Sequence, residues 1–222
     1  MQKEHEILVL FDIDGTLVTK TKENNRSMHT EALSIEKPLK LTLELAGLSD
    51  WDCLKILSKN TIVNSNTIEN LFEFFETLEL NVPHYTFESL PGVTEFLEYC
   101  TFNGVRVGIL TGNTFRRAQK KLVSAGLYSY FLQEFMFCCE KGESRLDIAK
   151  RAVQNSHNMN CIFIGDTKHD ISVGNALNIP VIAVATGTTS SAELIKEQPA
   201  LLVGNFKSNN KEIISFLRKI LN

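Results

Sequence analysis

The sequence predicts an α/β protein, a doubly wound parallel sheet interrupted by a mostly helical insert. Three observations carry this. Short apolar runs of strand length alternate with helical patterns from Ser89 onward, the signature of strand–helix–strand units and a parallel sheet. Between about Val18 and Ser89 that alternation lapses and apolar spacing turns helical. Three of the runs end in loops rich in carboxylates and hydroxyls, and ligands of such sheets bind outside the carboxyl ends of the strands.

The first run, Ile7-Leu8-Val9-Leu10-Phe11, reads as a fully buried strand broken by the turn at Gly15-Thr16. In the insert, Ser49-Asp50-Trp51-Asp52 is a capping signal ahead of Leu54, Ile56 and Leu57. Asn66 and Glu69 open a second helix with Ile68, Leu71, Phe72, Phe75 and Leu78 on one face, a stripe read as core packing. Pro91 suits a first helical turn, followed by Val93, Phe96, Leu97 and Cys100 and an end near Gly104. The strand 105–110 comes next, then a helix from about Thr114 to Ala125 stopped by Gly126. A strand near Phe135, a helix from about Ser144 to Asn155 and the strand 161–164 continue the alternation. A helix near Ile171–Leu177, the strand Val181–Val184, and a weaker pair at Ala192–Lys196 and Leu201–Val203 complete it. A terminal helix over Lys211–Leu221 covers the sheet with Ile213, Ile214, Leu217, Ile220 and Leu221.

Composition narrows the function. The 222 residues suffice for one large core with an inserted smaller domain. Hydrophobic and charged contents of 43% and 22% fit a soluble globular protein. A formal net charge of −3 argues against non-specific nucleic-acid binding, which needs a basic patch. No apolar stretch approaches membrane-spanning length, and Met1–Glu6 is polar, so a cytoplasmic location is expected with no membrane partner. Five cysteines, odd in number and without C-x-x-C spacing, disfavour structural zinc or a disulfide framework. Cys138-Cys139 reads as core strand.

The first strand end carries Asp12-Ile13-Asp14. Two carboxylates at one strand end repel and lose hydration, and a hard divalent cation compensates them; Mg²⁺ is commonly held by one or two carboxylates plus substrate phosphate. An aspartate so placed is able to attack phosphorus and form an aspartyl-phosphate. A passive metal site or a simple turn are the other readings of this three-residue pattern alone. The second strand ends in Thr111-Gly112-Asn113, whose hydroxyl and backbone N–H groups at a helix start suit phosphoryl oxygens, or cap the helix. The third ends in Gly165-Asp166-Thr167-Lys168-His169-Asp170, a further carboxylate pair that also reads as a helix N-terminus. Lys168 and His169 read as solvated loop residues, since Mg²⁺ prefers oxygen.

Taken in order, D-x-D-G-T, T-G-N and G-D-x-x-x-D resemble the haloacid-dehalogenase-like (HAD) superfamily, phosphoglycolate-phosphatase-like members above all, from Ile7 to about Leu202. The resemblance implies a Rossmann-like core at 1–17 and 90–222 with a helical cap at 18–89. It assigns Asp12 as nucleophile and Asp14 as general acid/base, the latter also offering its carbonyl to Mg²⁺. It places Asp166 as a third metal contact, with Asp170 in support. Thr111, Gly112 and Asn113 would bind phosphate. The family also needs a cation, usually a lysine before a helix and often followed by proline; here Glu140-Lys141-Gly142-Glu143-Ser144-Arg145 has no proline, and Arg145 is preferred to Lys141. Ala46–Asp50 resembles a glycine-containing cap loop, which puts Gly47 and Asp50 at the substrate, whereas Arg26 and His29 read as a solvated helix face.

The function expected is a Mg²⁺-dependent phosphatase acting on a small phosphorylated metabolite through an aspartyl-phosphate, as monomer or homodimer. A cap of this size excludes bulky protein substrates and shields the intermediate. A β-phosphoglucomutase-like phosphomutase uses the same residues and differs only in its product. A 2-haloacid dehalogenase needs no Mg²⁺, so Asp14, Asp166 and Asp170 argue against it. The intact Asp12, Asp14, Thr111 and Asp166 argue against a non-catalytic HAD-fold binding protein.

Overall fold

Residues 6–21, 45–60, 68–78 and 86–221 are described in the computed structural model. Their centre is β1 (Ile7–Phe11), every residue of which is buried. It pairs in parallel with β4 (Arg106–Leu110) on one side and β6 (Asn160–Gly165) on the other. The sheet extends outward to β5 (Met136–Phe137) beyond β4, and to β7 (Val181–Val184) and β8 (Leu201–Val203) beyond β6. All six strands are parallel, so helices must cover both faces, which is why β1 reads as an unbroken apolar run rather than an alternation.

Those helices are α3 (Val93–Phe102), α4 (Phe115–Ser124), α5 (Arg145–Gln154), α6 (Lys168–Leu177), the short α7 (Ser191–Leu194) and α8 (Phe206–Leu221). Helix α8 starts five residues earlier than apolar spacing suggested, because Asn205 caps it through a hydrogen bond from the Ser208 amide to its side-chain oxygen at 2.8 Å. Its first residue, Phe206, lies 5.3 Å from Phe96 of α3 and 6.4 Å from Phe11 of β1, ring centre to ring centre. Aromatic pairs in this range add about 0.5–1.5 kcal/mol each beyond their buried area, so this cluster fastens the chain terminus to the central strand. The strand expected near Phe135 shrinks to two residues, preceded by a 3₁₀ turn, although its apolar run is buried as anticipated.

The insert begins and ends on a feature that periodicity did not reveal. β2 (Val18–Lys20) and β3 (Phe87–Ser89) pair antiparallel at its base. They are short and only partly apolar, which hides them from a pattern search. Above them lie α1 (Asp50–Asn60) and α2 (Ile68–Leu78), with Trp51 packed edge-on against Phe72 at 5.5 Å. Ser49 caps α1 as the sequence indicates, its hydroxyl accepting from the Asp52 amide at 3.1 Å. No helix among the described residues is long and apolar enough to cross a membrane.

Candidate active site

Register builds the site. Phe11 stands opposite Ile109 on one side and Ile164 on the other, so the residues that follow the three strands emerge together. The Asp12 amide still donates to the Ile164 carbonyl at 2.9 Å, and the Thr111 amide to the Phe137 carbonyl at 3.1 Å, which extends the ladder into the loops. Asp12, Thr111 and Asp166 therefore lie side by side at the topological switch point of the sheet. One cavity of about 220 Å³ is lined by Asp12, Asp14, Thr111, Gly112, Asn113, Arg145 and Asp166 together with the loop 46–48 and Asp50.

Three buried carboxylates converge here, and two of them, Asp12 and Asp166, line the cavity. Oxygens of Asp12, Asp166 and Asp170 all lie within 4.8 Å of one another. Burial pushes the Asp12 carboxyl up to about 6; the Arg145 guanidinium opposes this, while Asp170 and Asp14 reinforce it. Burial also raises Asp166 well above the ordinary range, aided by Asp12 and Asp170 and opposed by the Thr16 hydroxyl, which donates to Asp166 Oδ1 at 3.0 Å. Asp166 lies so close to the backbone of the next loop that a Cβ on Gly187 would stand 1.6 Å from its Oδ2.

Arg145 is the cation of this cluster. It is the first residue of α5, after an N-cap Ser144 that forms a capping box with Asp147. A positive charge there opposes the helix dipole. Two carboxylates offset that cost, since Nη2 donates to Asp12 Oδ1 at 2.9 Å and to Asp170 Oδ1 at 2.5 Å. Burial disfavours its charge, but Asp12 and Asp170 more than compensate and hold the guanidinium protonated. Lys141, the other candidate, is not brought to Asp12. Gly142 turns the backbone at φ 92°, and Lys141 is exposed and 3.6 Å from Glu73 of α2, beside a separate cleft.

Asp170 serves its helix and the cluster together. Its Oδ2 accepts from the Thr167 amide at 3.0 Å and from the Thr167 hydroxyl at 2.7 Å, closing the capping box of α6. With Oδ1 on Arg145, both oxygens have protein partners, which fits a supporting part better than direct ligation.

Asp14 faces away from the carboxylate cluster and its side chain is half-exposed. Partial burial resists its ionisation, but the Lys121 ammonium and hydrogen bonds from Lys121 and Asn113 outweigh this and hold its carboxyl below the ordinary range. Thr111 is fully buried, and its Oγ1 accepts from the Asn113 side chain at 2.8 Å, which leaves the hydroxyl proton to donate to a ligand.

The loop expected to carry Gly47 and Asp50 docks directly on this apparatus. A Cβ on Gly112 would lie 2.3 Å from the Leu48 carbonyl oxygen, so only glycine admits the loop at that distance. The Asp50 amide donates to the Gly112 carbonyl at 2.7 Å. The Asp50 side chain is buried, ion-paired with Arg117 and accepting from the Thr114 amide at 2.8 Å, so it fastens cap to core. Gly47 (φ 79°) sits against Thr167 and His169 at the start of α6. Arg26 and His29 lie outside the described residues. Lys121, Thr16, Arg117 and Gly187 were missed from sequence. For the two cations a signal existed: Arg117, Ala118, Lys121 and Leu122 share the buried face of α4, an i, i+4 pattern that mixes charge with apolar residues.

Does this donor set suit a divalent cation? Three buried carboxylates, from Asp12, Asp166 and Asp170, face one cation, Arg145, while half-exposed Asp14 is paired separately with Lys121. The shortfall is two positive charges in an all-oxygen, buried setting, which fits Mg²⁺.

Residues 9–184 match the haloacid dehalogenase-like hydrolase family, and the chain belongs to it. Two relatives are named phosphatases. The protein named Probable phosphatase IndB of Dickeya dadantii is 26% identical over 90% of this chain and 90% of its own length. Phosphoglycolate phosphatase 1 of Pseudomonas aeruginosa is 20% identical over 90% of this chain and 77% of its own. A hydrolase from Pseudomonas syringae superposes with a TM-score of 0.72 at 20% identity, covering 95% of this chain and 98% of that one. A Bacteroides vulgatus protein provisionally described as a β-phosphoglucomutase gives 0.69 at 18% identity, over 98% and 91%. These superpositions establish the fold, a Rossmann-like HAD core with an inserted helical cap.

Proposed function

We propose that this HAD-family phosphatase hydrolyses a small phosphorylated metabolite with Mg²⁺, through an aspartyl-phosphate on Asp12. The observation that carries the reading is the joint placement of Asp12, Arg145 and Asp166 at the strand ends, beside the Thr111 hydroxyl. The core is taken as 1–17 and 90–222 and the cap as 18–89.

Arg145 holds one oxygen of Asp12, which orients the carboxylate so that the other is presented to phosphorus for in-line attack. The hydroxyl of Thr111 and backbone N–H groups around Gly112 and Asn113 bind the equatorial phosphoryl oxygens, with Arg145 neutralising their charge. Asp14 gives a proton to the leaving oxygen and later takes one from the attacking water. Mg²⁺, held by Asp12, Asp166 and the Asp14 carbonyl, would keep Asp12 ionised and polarise the phosphoryl group. Asp170 acts through Arg145. The β-phosphoglucomutase likeness is fold-level, and product analysis separates transfer to water from transfer to sugar.

The direct test is a screen of phosphorylated small molecules for phosphate release with Mg²⁺. Excess EDTA should abolish activity, Mg²⁺ should restore it, and Ca²⁺, with its looser and larger shell, should restore it poorly. Full activity in EDTA would sink the metal reading.

A second test uses stability. Asp12 has its folded-state carboxyl raised from 3.8 to about 6, so its favourable contribution is complete below pH 3.8 and lost as pH rises through about 6. Above that, the cation-free protein carries uncompensated charge. Added Mg²⁺ should therefore raise Tm more at pH 7.5 than at pH 5, where protons compete. Equal shifts at both would show that the cation binds elsewhere.

Gly187 supplies a third. Gly187→Ala must displace the Asp166 carboxylate, because the new Cβ occupies its oxygen's position. Mg²⁺ affinity, followed by titration, should fall about 10–100-fold, as when the support of a ligand is disturbed. Unchanged affinity would remove Asp166 from the metal site.

A further inference from the structure

We propose that Lys121 is a positioning residue for Asp14, selecting which carboxylate oxygen faces the leaving group. The inference rests on the reading of Asp14 as the proton donor above. Lys121 lies in the last turn of α4 and is 4% exposed. Its neighbours on the buried helix face are the apolar Ala118 and Leu122 and Arg117, whose guanidinium is paired with Asp50. A lysine at such a place must find partners for its ammonium or lose its charge.

It finds three. Nζ donates to Asp14 Oδ2 at 2.5 Å and to Asn113 Oδ1 at 2.6 Å, and stands 5.5 Å from the centre of the Phe87 ring. The Asn113 amide closes the network, giving hydrogen bonds to the same Asp14 Oδ2 at 2.9 Å and to Thr111 Oγ1 at 2.8 Å. Two donors thus converge on one oxygen of Asp14. A half-exposed aspartate would otherwise sample several rotamers. Held by Oδ2, it offers Oδ1 in a fixed direction.

That fixes the proton path. As the bond from phosphorus to the leaving oxygen breaks, its electron pair stays on that oxygen, and Oδ1 of Asp14 delivers the proton it carries. Water then attacks the phosphoryl group on Asp12, the Asp12–phosphorus bond breaks, and the proton of that water returns to Asp14. Lys121 touches neither substrate nor phosphorus in this scheme. It acts through Asp14.

Leaving-group chemistry separates this role from general support. A nitrophenolate departs without a proton, whereas an alkoxide needs one. kcat/KM covers steps up to the departure of the leaving group. In Lys121→Met, kcat/KM for glycerol 2-phosphate should fall on the order of 10²-fold, the effect of a misplaced catalytic group, with a loss at least tenfold smaller for p-nitrophenyl phosphate. Lys121→Gln, one atom shorter but still a hydrogen-bond donor, should fall in the same direction by less. Both variants are compared once cooperative thermal unfolding shows them folded, so either alone decides. Added to Asp14→Asn, the Lys121 change should cost less than about threefold more, because both remove one function.

The ammonium also disfavours the protonated form of Asp14, an effect of opposite sign. A gain in alkyl phosphate hydrolysis would thus show that its charge dominates, and would overturn the proposal. Parallel losses on both phosphates, or full additivity with Asp14→Asn, would overturn it equally, with the phosphatase reading untouched. A wild-type protein inactive on both phosphates would overturn that reading and this inference with it.

Discussion

Asp12→Asn is expected to abolish turnover without loss of the fold, and without the acyl-phosphate that denaturing quench should trap in the active protein. An amide has the shape of the carboxylate but cannot attack phosphorus. The substitution also removes a repelled charge. A carboxyl raised from 3.8 to about 6 is costly to ionise at neutral pH, by about 3 kcal/mol at about 1.36 kcal/mol per unit. Against this stands the lost Arg145 contact, although Arg145 keeps Asp170 as a partner. The cation-free variant should therefore melt no lower than the wild type, while phosphate release disappears. Appreciable turnover from a clean preparation would end the nucleophile assignment.

The other large effect is expected at Arg145. In the proposed role, replacing it with alanine removes a donor to the developing phosphoryl charge, and loss of one such donor typically costs ~10²–10³-fold in kcat. It also leaves Asp12 and Asp170 buried without their shared cation. Breaking such a pair from one side costs about 3–5 kcal/mol, so Tm should fall as well. Arg145→Lys keeps the charge and tests whether the guanidinium's placement of one nitrogen between two carboxylates matters. Lys141→Ala should change kcat little, since a solvated pair with Glu73 contributes at most about 1 kcal/mol. Measuring the three side by side, with unfolding curves, decides between the cations. Equal and small losses from Arg145→Ala and Lys141→Ala would mean that neither touches the phosphoryl group.

Much of the core was legible because each strand of the centre is short, apolar and followed at once by its functional residues. In a parallel sheet, strand ends that align bring such residues together, so motif order sufficed to foresee that Asp12, Thr111 and Asp166 would meet. The preference for Arg145 over Lys141 comes from the family resemblance, an arginine entering this helix, whereas the capping of that helix by Ser144 belongs to the structure. Other features had no local signal. β2 and β3 are three residues each, and pairing across the whole insert defines them. Gly187 matters because of a carboxylate 21 positions away, a contact no sequence window contains. For Lys121 and Arg117 the spacing with Ala118 and Leu122 marks a shared helix face but does not name its partners. Those partners, Asp14 for one and Asp50 for the other, come from distant parts of the chain and show only in the fold.

The Leu48 loop bears on the re-engineering of this protein. Its carbonyl rests on Gly112, its neighbour Asp50 is bonded to the Gly112 carbonyl, and Arg117 secures Asp50 from the adjoining helix. Caps are natural units to exchange between relatives, and the β2–β3 pair offers an obvious pair of splice points. A graft cut there would transplant Leu48 and Asp50 but leave Gly112 and Arg117 behind. A recipient with any side chain at the first position would push the donor loop away, and one without the arginine would bury an unmatched carboxylate. The exchangeable module is thus discontinuous, the insert together with two residues of the core.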